Sequence, residues 1–513
     1  VLRSFPRELE EHRRAIEARA REEGLDFYDT IFEMVDFDQM NQIAAYGGFP
    51  TRYPHWRFGM DYERLRKQHS YGLSRIYEMV INNDPCYAYL LTDNALVDQK
   101  TVMAHVYAHC DFFKNNRWFA HTNRKMMDEM ANHATRVWRH IEREGFETVE
   151  KFLDICLSLE NLIDPYSPFM RRQPSAEELR AVRDTHVRQQ AEEGVVRFQA
   201  KPYMDRYINP PERLTRERER ELERLRGQRR ITPAMPERDV LALLLRHAPL
   251  EDWQADVLSI VREEAYYFAP QAQTKIMNEG WATYWHSRLM TRYHLRDDEL
   301  VTYADHHSGT LYSPPGRLNP YKVGLELFRD IEERWNKGRF GKEYEECEDI
   351  EKRRTWDTGA GLGRQKIFEV RRFHNDVTFI DEFLTPEFVE RYRLYHYRYD
   401  PATGRMVAVS RDFRQIKQRL LFMLTNLGQP YIYVVDANYS NRGELYLAHK
   451  HVGADLDIKY AHECLKNLHR LWTRRVHLQA LIDDDMMLFT CDGETVKQQK
   501  IKGDMPKPAH TVL

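Results

Sequence analysis

Two imidazoles inside an apolar helix constrain this chain more than any other feature. Val97–Asn115 reads as one long helix, on which Val102, His105, His109, Phe112 and Asn116 form a single stripe. Residues three and four apart stack on one helical face, so this largely apolar stripe turns inward and takes both imidazoles with it. Each then needs a hydrogen-bond partner or a metal ion to offset its lost hydration. The fold must therefore bring polar groups to that stripe. Asn278-Glu279-Gly-Trp-Ala-Thr-Tyr-Trp-His286 is the best candidate, on a helix otherwise made of Ile276, Met277, Trp281, Ala282 and Trp285. Glu279 and His286 share a face two turns apart, and a carboxylate on an aromatic-lined helix is rarely buried without a partner.

With 22 histidines among 513 residues, a His-x-x-x-His spacing means little by itself; its apolar setting and Glu279 give it weight. Two readings follow. In one, His105, His109 and Glu279 hold a divalent ion, Zn²⁺ first, in the His-His-Glu set of zinc peptidases, with a position open for water. In the other, they form a hydrogen-bonded polar core. One departure separates this chain from ordinary zinc peptidases: the position after the first histidine, where they carry a general base, is Val106. A proton carrier must then come from another helix. Glu263, Glu264 and His286 are the candidates, with salt bridges to Arg262 or Arg288 as the structural alternative for the two glutamates. Glu263 or Glu264 acting as a further ligand makes a carboxylate-rich site of the kind that suits iron. Asp111 lies about 200° around the helix from His109, which excludes it from the same ion and suits it to orient the next helix through Asn123 or Arg124. His121 and His133 are candidates for fixing imidazole tautomers, or are simply structural.

Charge excludes other classes of function. The 77 basic and 80 acidic residues leave −3, so no global field draws nucleic acid or anionic membrane to the chain. No apolar run approaches the ~20 residues of a membrane span, and no signal-peptide core follows the charged start. Six scattered cysteines without a Cys-x-x-Cys pair read as reduced thiols, and a cytoplasmic protein is expected.

The expected fold class is mainly α. A large helical N-terminal domain, zincin-like at its ligand helices, covers residues 1–380, and a smaller α+β domain covers 381–513. Helices are read over Leu9–Glu23, Tyr28–Tyr46, 61–83, Asn123–Glu144, Trp253–Phe268, Gln271–Arg292 and Val323–Lys337, with Pro270 separating two of them. Cys86–Leu91 reads as a short extended piece. The stretch near 174–249 is charged and reads as an insertion, its run Glu212–Gly227 a solvated helix. In the C-terminal domain, alternating pieces at Arg391–Arg398, Met406–Val409, Pro430–Ala437, Glu444–His449, Val476–Leu481 and Met486–Thr490 accompany a helix at Ile458–Leu471. Thr358–Lys366 is glycine-rich but lacks the strand and the Gly-Lys-Ser/Thr of a phosphate loop, and reads as a turn with Arg364 as an anion contact. His449 and His451 share a strand face, a weak metal signal.

Several long, irregular blocks resemble the stage V sporulation protein R (SpoVR) family. They are Pro54-His-Trp-Arg-Phe-Gly-Met60, Ala104–Asn116, Arg262–Gln271, Met277–His286, Asn319-Pro-Tyr-Lys-Val-Gly324 and Glu444–Leu456. The resemblance implies a bacterial cytoplasmic protein tied to formation of the spore cortex, a peptidoglycan, in spore formers. In other bacteria it implies a stress or stationary-phase module that includes a serine protein kinase. The Glu-Gly-Trp-Ala helix is similar to the third-ligand helix of some gluzincin-type metallopeptidases. The leading expectation is metal-assisted hydrolysis of an amide in a peptide or peptidoglycan precursor. The other is a non-catalytic regulatory or scaffold protein acting with that kinase through the α+β domain or the charged stretch.

Overall fold

The computed structural model describes residues 5–70, 78–170, 195, 198–202, 204–227, 233 and 235–501. In chain order its elements begin with α1 (Arg7–Glu22), β1 (Thr30–Val35), α2 (Phe37–Ala45), α3 (Trp56–Ser70), β2 (Glu78–Ile81), β3 (Cys86–Leu91), α4 (Leu96–Asn115), α5 (Met126–Glu144) and α6 (Phe146–Ser158). There follow α7 (Pro211–Gly227), α8 (Val240–His247), α9 (Asp252–Gln273), α10 (Lys275–Leu289), α11 (Leu300–Thr310), α12 (Pro320–Asn336), α13 (Gly363–Phe373), α14 (Asp376–Phe383) and α15 (Pro386–Tyr392). The chain continues with β4 (His396–Asp400), β5 (Arg405–Ser410), α16 (Phe413–Leu424), β6 (Tyr431–Tyr439), β7 (Glu444–Lys450), α17 (Ile458–Trp472), β8 (Val476–Ile482), β9 (Asp485–Cys491) and β10 (Val496–Lys500). A large helical region thus precedes a five-stranded sheet domain.

These elements form two compact units, residues 1–151 with 266–429 and residues 152–265 with 430–513. A single cut near residue 381 does not describe this division, because residues on the 152–265 excursion bond to the C-terminal sheet. Glu237 and Val434 exchange backbone hydrogen bonds of 2.9 and 2.7 Å, and Arg238 pairs with Asp164 and lies over the Tyr431 ring. The alternating segment after Arg391 becomes the β4–β5 hairpin of the first unit instead. Much of the stretch near 174–249 lies outside the described residues; within it α7 and α8 are helical.

In the first unit α4 is buried along almost its whole length, from Val97 to Phe113. A helix apolar all round belongs in the centre of a core, and α1 and α10 pack on this one. Beside it lies a sheet of order β1-β3-β2, with β1 parallel and β2 antiparallel to β3. Two expected helices give up residues to this sheet. In Tyr28–Tyr46 the β-favouring Thr-Ile-Phe-Glu-Met-Val pairs with β3, and the helix starts only after Asp36, which forms a capping box with Gln39. In 61–83 the helix is α3 and the strand is β2, while the expected helix's residues 71–77 lie outside the described set. The aromatic stretch Tyr53–Met60 is helical from Trp56.

Pro270 does not divide the helices either; it sits inside α9, and the break falls at Thr274. Proline removes one backbone donor without forcing a stop. The new helix start is capped from a distance: Asp376 accepts from the backbone N–H groups of Ile276 and Met277 at 2.8 and 2.9 Å. Thr274 itself gives no side-chain cap.

The second unit is built on a sheet of order β10-β9-β8-β7-β6. β6 and β7 form an antiparallel hairpin, and α17 makes the crossover between the parallel pair β7 and β8. Leu465, Leu468 and Leu471 are the buried stripe of α17.

α10 and α12 meet at two glycines. A methyl group on Gly280 would strike the backbone of Gly324 and lie 2.8 Å from Leu325 N; one on Gly324 would strike the Ile276 carbonyl. Gly280→Ala and Gly324→Ala should each destabilise the protein by about 1–3 kcal/mol or more through overpacking. Gly309→Ala in α11, where nothing stands within 4 Å, should be neutral or stabilising by up to about 1 kcal/mol. Denaturant unfolding of the three variants checks this contrast.

Candidate metal centre

The imidazole-bearing helix is fixed by a buried carboxylate. Asp111 accepts from Asp26 N and Trp281 Nε1, each at 2.8 Å, and from Arg371 Nη1 at 2.9 Å, joining α4 to α10 and α13. It therefore does not orient the helix after α4, as the sequence suggested. Arg124 instead donates to the Phe113 carbonyl and to Asn82. Burial pushes the Asp111 carboxyl up to about 6, against the pull of Arg371 and its other donors.

With α4 and α10 locked together, His105, His109 and Glu279 converge. His105 Nε2 and His109 Nε2 are 2.9 Å apart, and each lies 3.6 Å from Glu279 Oε2. A tetrahedral ion with donors at roughly 2.0–2.1 Å spaces them about 3.4 Å apart. The triangle fits: a point about 2.0 Å from all three atoms lies at its centre. Glu279 Oε2 is buried and has no hydrogen-bond partner, so the oxygen aimed into the triangle is the one left unsatisfied.

Outer contacts set the tautomers. His109 Nδ1 lies 2.8 Å from Asn278 Oδ1, an acceptor only, so Nδ1 carries the proton and Nε2 presents a lone pair. His105 Nδ1 lies 2.9 Å from His286 Nδ1, and His286 Nε2 lies 3.2 Å from His307 Nδ1. Two proton arrangements satisfy these contacts. Donors running from His307 through His286 to His105 put the His105 proton on Nε2, toward His109. In the reverse run His105 Nδ1–H donates to His286 Nδ1 and His286 Nε2–H to His307 Nδ1, which leaves both Nε2 atoms in the triangle as lone pairs for an ion. Without an ion the two Nε2 atoms can share only one proton. Burial lowers His109 to about 4, helped by the charge of His105. Burial would lower His105 too, but Glu279 and Glu78 outweigh it and hold it above its usual value.

Two further groups face this cluster that the sequence did not single out. Glu78 Oε1, on β2, lies 3.8 Å from His105 Nε2 with its side chain 20% exposed. Burial raises its carboxyl, His105 draws it back, and the like charge of Glu279 raises it again, to a net position above the usual range. Tyr321, on α12, lies nearly parallel to the His105 ring at 6.3 Å. The charge of Glu279, followed by burial and Glu78, pushes its hydroxyl up. Glu78 carries no sequence signal, because it sits on a four-residue strand that reads as helix. Tyr321 lies in the Asn319–Gly324 block that resembles the SpoVR family, and only the fold shows which residue of that block faces the cluster. His286, proposed for proton transfer, touches His105. Glu263 and Glu264 belong to the second unit; Glu263 is exposed and accepts from Ser259 Oγ at 3.1 Å, and Glu264 is buried. The ligand triangle is built without them. Val106 is fully buried in the core. His121 is exposed, and buried His133 lies 3.5 Å from Glu129. Arg364 is engaged by Glu23 at 2.9 Å, so the glycine-rich turn offers no free anion contact there.

Comparison with known proteins gives this chain a family. Residues 4–429 match the family described as SpoVR like protein, and residues 430–483 match the SpoVR-like C-terminal domain. The chain belongs to the SpoVR family. It is 30% identical over 492 residues to the Uncharacterized protein YcgB of Escherichia coli (strain K12), covering 90% of this chain and 89% of that protein. No solved structure matches it. The family boundary after residue 429 is also where the chain passes from the first compact unit to the second. Among the described residues, no helix of this SpoVR-family chain is long and apolar enough to cross a membrane.

Removing one partner of the buried Asp111–Arg371 pair leaves an uncompensated charge, at a cost of about 3–5 kcal/mol. Arg371→Leu should lose that much stability in urea titration. The double variant Asp111→Asn, Arg371→Leu should recover part of it.

Proposed function

We propose that this SpoVR-family protein holds a divalent ion, Zn²⁺ first, on His105, His109 and Glu279 and hydrolyses an amide bond there. The observation that supports this most is the donor triangle of 2.9, 3.6 and 3.6 Å with a buried, unsatisfied carboxylate oxygen pointing into it. A bound ion lends such a site a Lewis acid and a water more acidic than bulk. The chain's own residues supply the rest. Asn278 and His286 hold the two imidazoles in the tautomer that leaves Nε2 free. Glu78 accepts the proton that Val106 cannot, standing beside His105 and open enough to exchange with solvent. His286 and His307 continue the hydrogen-bonded chain away from His105. The family's tie to the spore cortex supports a peptide or peptidoglycan-precursor amide as substrate and a cytoplasmic setting within a sporulation or stress module.

The rival reading is a regulatory or scaffold protein acting with the serine protein kinase, its cluster a polar core. In its favour, His105, His109, Asn278 and His286 already satisfy one another.

Metal analysis separates the two. Protein purified without chelator should carry close to one equivalent of a divalent metal, and His105→Ala and Glu279→Gln should lose it. Less than about a tenth of an equivalent, unchanged in His105→Ala, sinks the metal reading. Asn278→Ala should keep the fold and weaken metal binding about 10–100-fold, as loss of an orienting partner does. Glu78→Gln should retain the metal yet lose about 10²–10⁴-fold in cleavage of a muropeptide and peptide panel. Full activity in Glu78→Gln removes Glu78 from the mechanism.

A further inference from the structure

A cavity in the first unit lies apart from the donor triangle, and its charge is uneven. It has a volume of about 530 Å³ and is lined by Arg317, Lys322, Arg393 and Arg419, with no aspartate or glutamate in its wall. In a chain whose overall charge is −3, four cations around one hollow are a local concentration of field. Among the described residues none of the four has a carboxylate at ion-pair distance; the contact made by the Arg419 guanidinium is with the His396 imidazole. Lys322 and Val323, in the first turn of the 17-residue helix α12, form part of the wall. The positive end of that helix dipole therefore adds to the field. Tyr395 and Tyr397 contribute aromatic rings, their centroids 6.2 Å apart.

Arg393 closes α15 in the left-handed region at φ 53, a helix-end position where glycine is the common residue because a side chain there is strained. It also lines the cationic hollow.

From these observations we infer that the cavity binds a phosphorylated small molecule with a flat ring system, of the nucleoside diphosphate class. The volume suits a small ligand and is too small for a folded partner. Four cations without acids match more than one negative charge, which guanidinium groups meet with charge-assisted hydrogen bonds. The tyrosines offer ring faces of the kind on which bases stack. The inference does not rest on the metal reading, since no ligand of the triangle lines this cavity.

The test is calorimetric titration of the full chain with ADP, inorganic pyrophosphate and adenosine, in buffer containing a chelator so that the metal centre plays no part. ADP should bind saturably, more tightly than pyrophosphate and at least about tenfold more tightly than adenosine. Arg393→Gly should weaken ADP about tenfold or more while leaving the melting temperature unchanged or higher, because glycine relieves the left-handed strain. Arg419→Gln should weaken ADP similarly in a normally folded protein. Absence of ADP binding at 5 mM, or equal ADP affinity in wild type and both variants, overturns the proposal. Pyrophosphate binding as tightly as ADP overturns the ring-recognition half of it.

Discussion

The contact between Gly280 and Gly324 is the constraint from which the site follows. Two helices whose backbones touch cannot slide or rotate past one another without a clash, so the register of α10 on α12 is set by the absence of two side chains. Glu279 is the residue before one of these glycines, and Tyr321 lies one turn before the other. The same approach fixes where both stand relative to one another beside His105. The indoles of α10 pack beside this approach, Trp281 against Phe328 of α12 itself and Trp285 against Phe368 of α13. Two small residues and two indoles together give α10 a single seating.

Buried carboxylates complete that seating. Asp111 and Asp376 are both almost wholly inaccessible, and each ties down a helix end or an indole with hydrogen bonds from different elements. Burying an ionised group is expensive, and it persists only where donors surround it. These two are surrounded by four kinds of donor: a guanidinium, an indole, a loop N–H and helix-terminal N–H groups. Glu279 is the exception in the same neighbourhood. It is packed as tightly, yet one of its oxygens is left without a donor beside two imidazole nitrogens. Asp111 and Asp376 are saturated, and the acid at the centre of the triangle is not.

How much of this was legible in the sequence divides along physical lines. Long, strongly patterned segments were readable, and β3 and the body of α4 lie where the pattern placed them, because burial of an apolar stripe dominates local preference there. The pairing of His105, His109 and Glu279 was readable because inward-facing polar groups on apolar helices need one another. Short strands are where the pattern failed: β1, although β-favouring, and β2 were each absorbed into a longer helical reading, and only their pairing with the two edges of β3 distinguishes them. Glu78 was invisible for that reason. Pro270 misled because proline in a helix costs one hydrogen bond, and tertiary packing outweighs that cost in α9. The capping of α10 by Asp376, far along the chain, has no local signature at all.

Val106 acquires a physical explanation in this arrangement. In a helix bearing two imidazoles, the residue after the first histidine points about 100° away from it. Here that direction leads into the densest part of the core, where Val106 is fully buried among apolar side chains. A glutamate at that position would be an unpaired buried charge costing several kcal/mol. α4 is a central helix, covered on the side that a cleft-lining helix leaves open. A carboxylate beside this cluster comes instead from a neighbouring element: Glu78, at the start of β2, lies 3.8 Å from His105 Nε2 with its side chain 20% exposed. The burial of α4 thus accounts for the valine at 106.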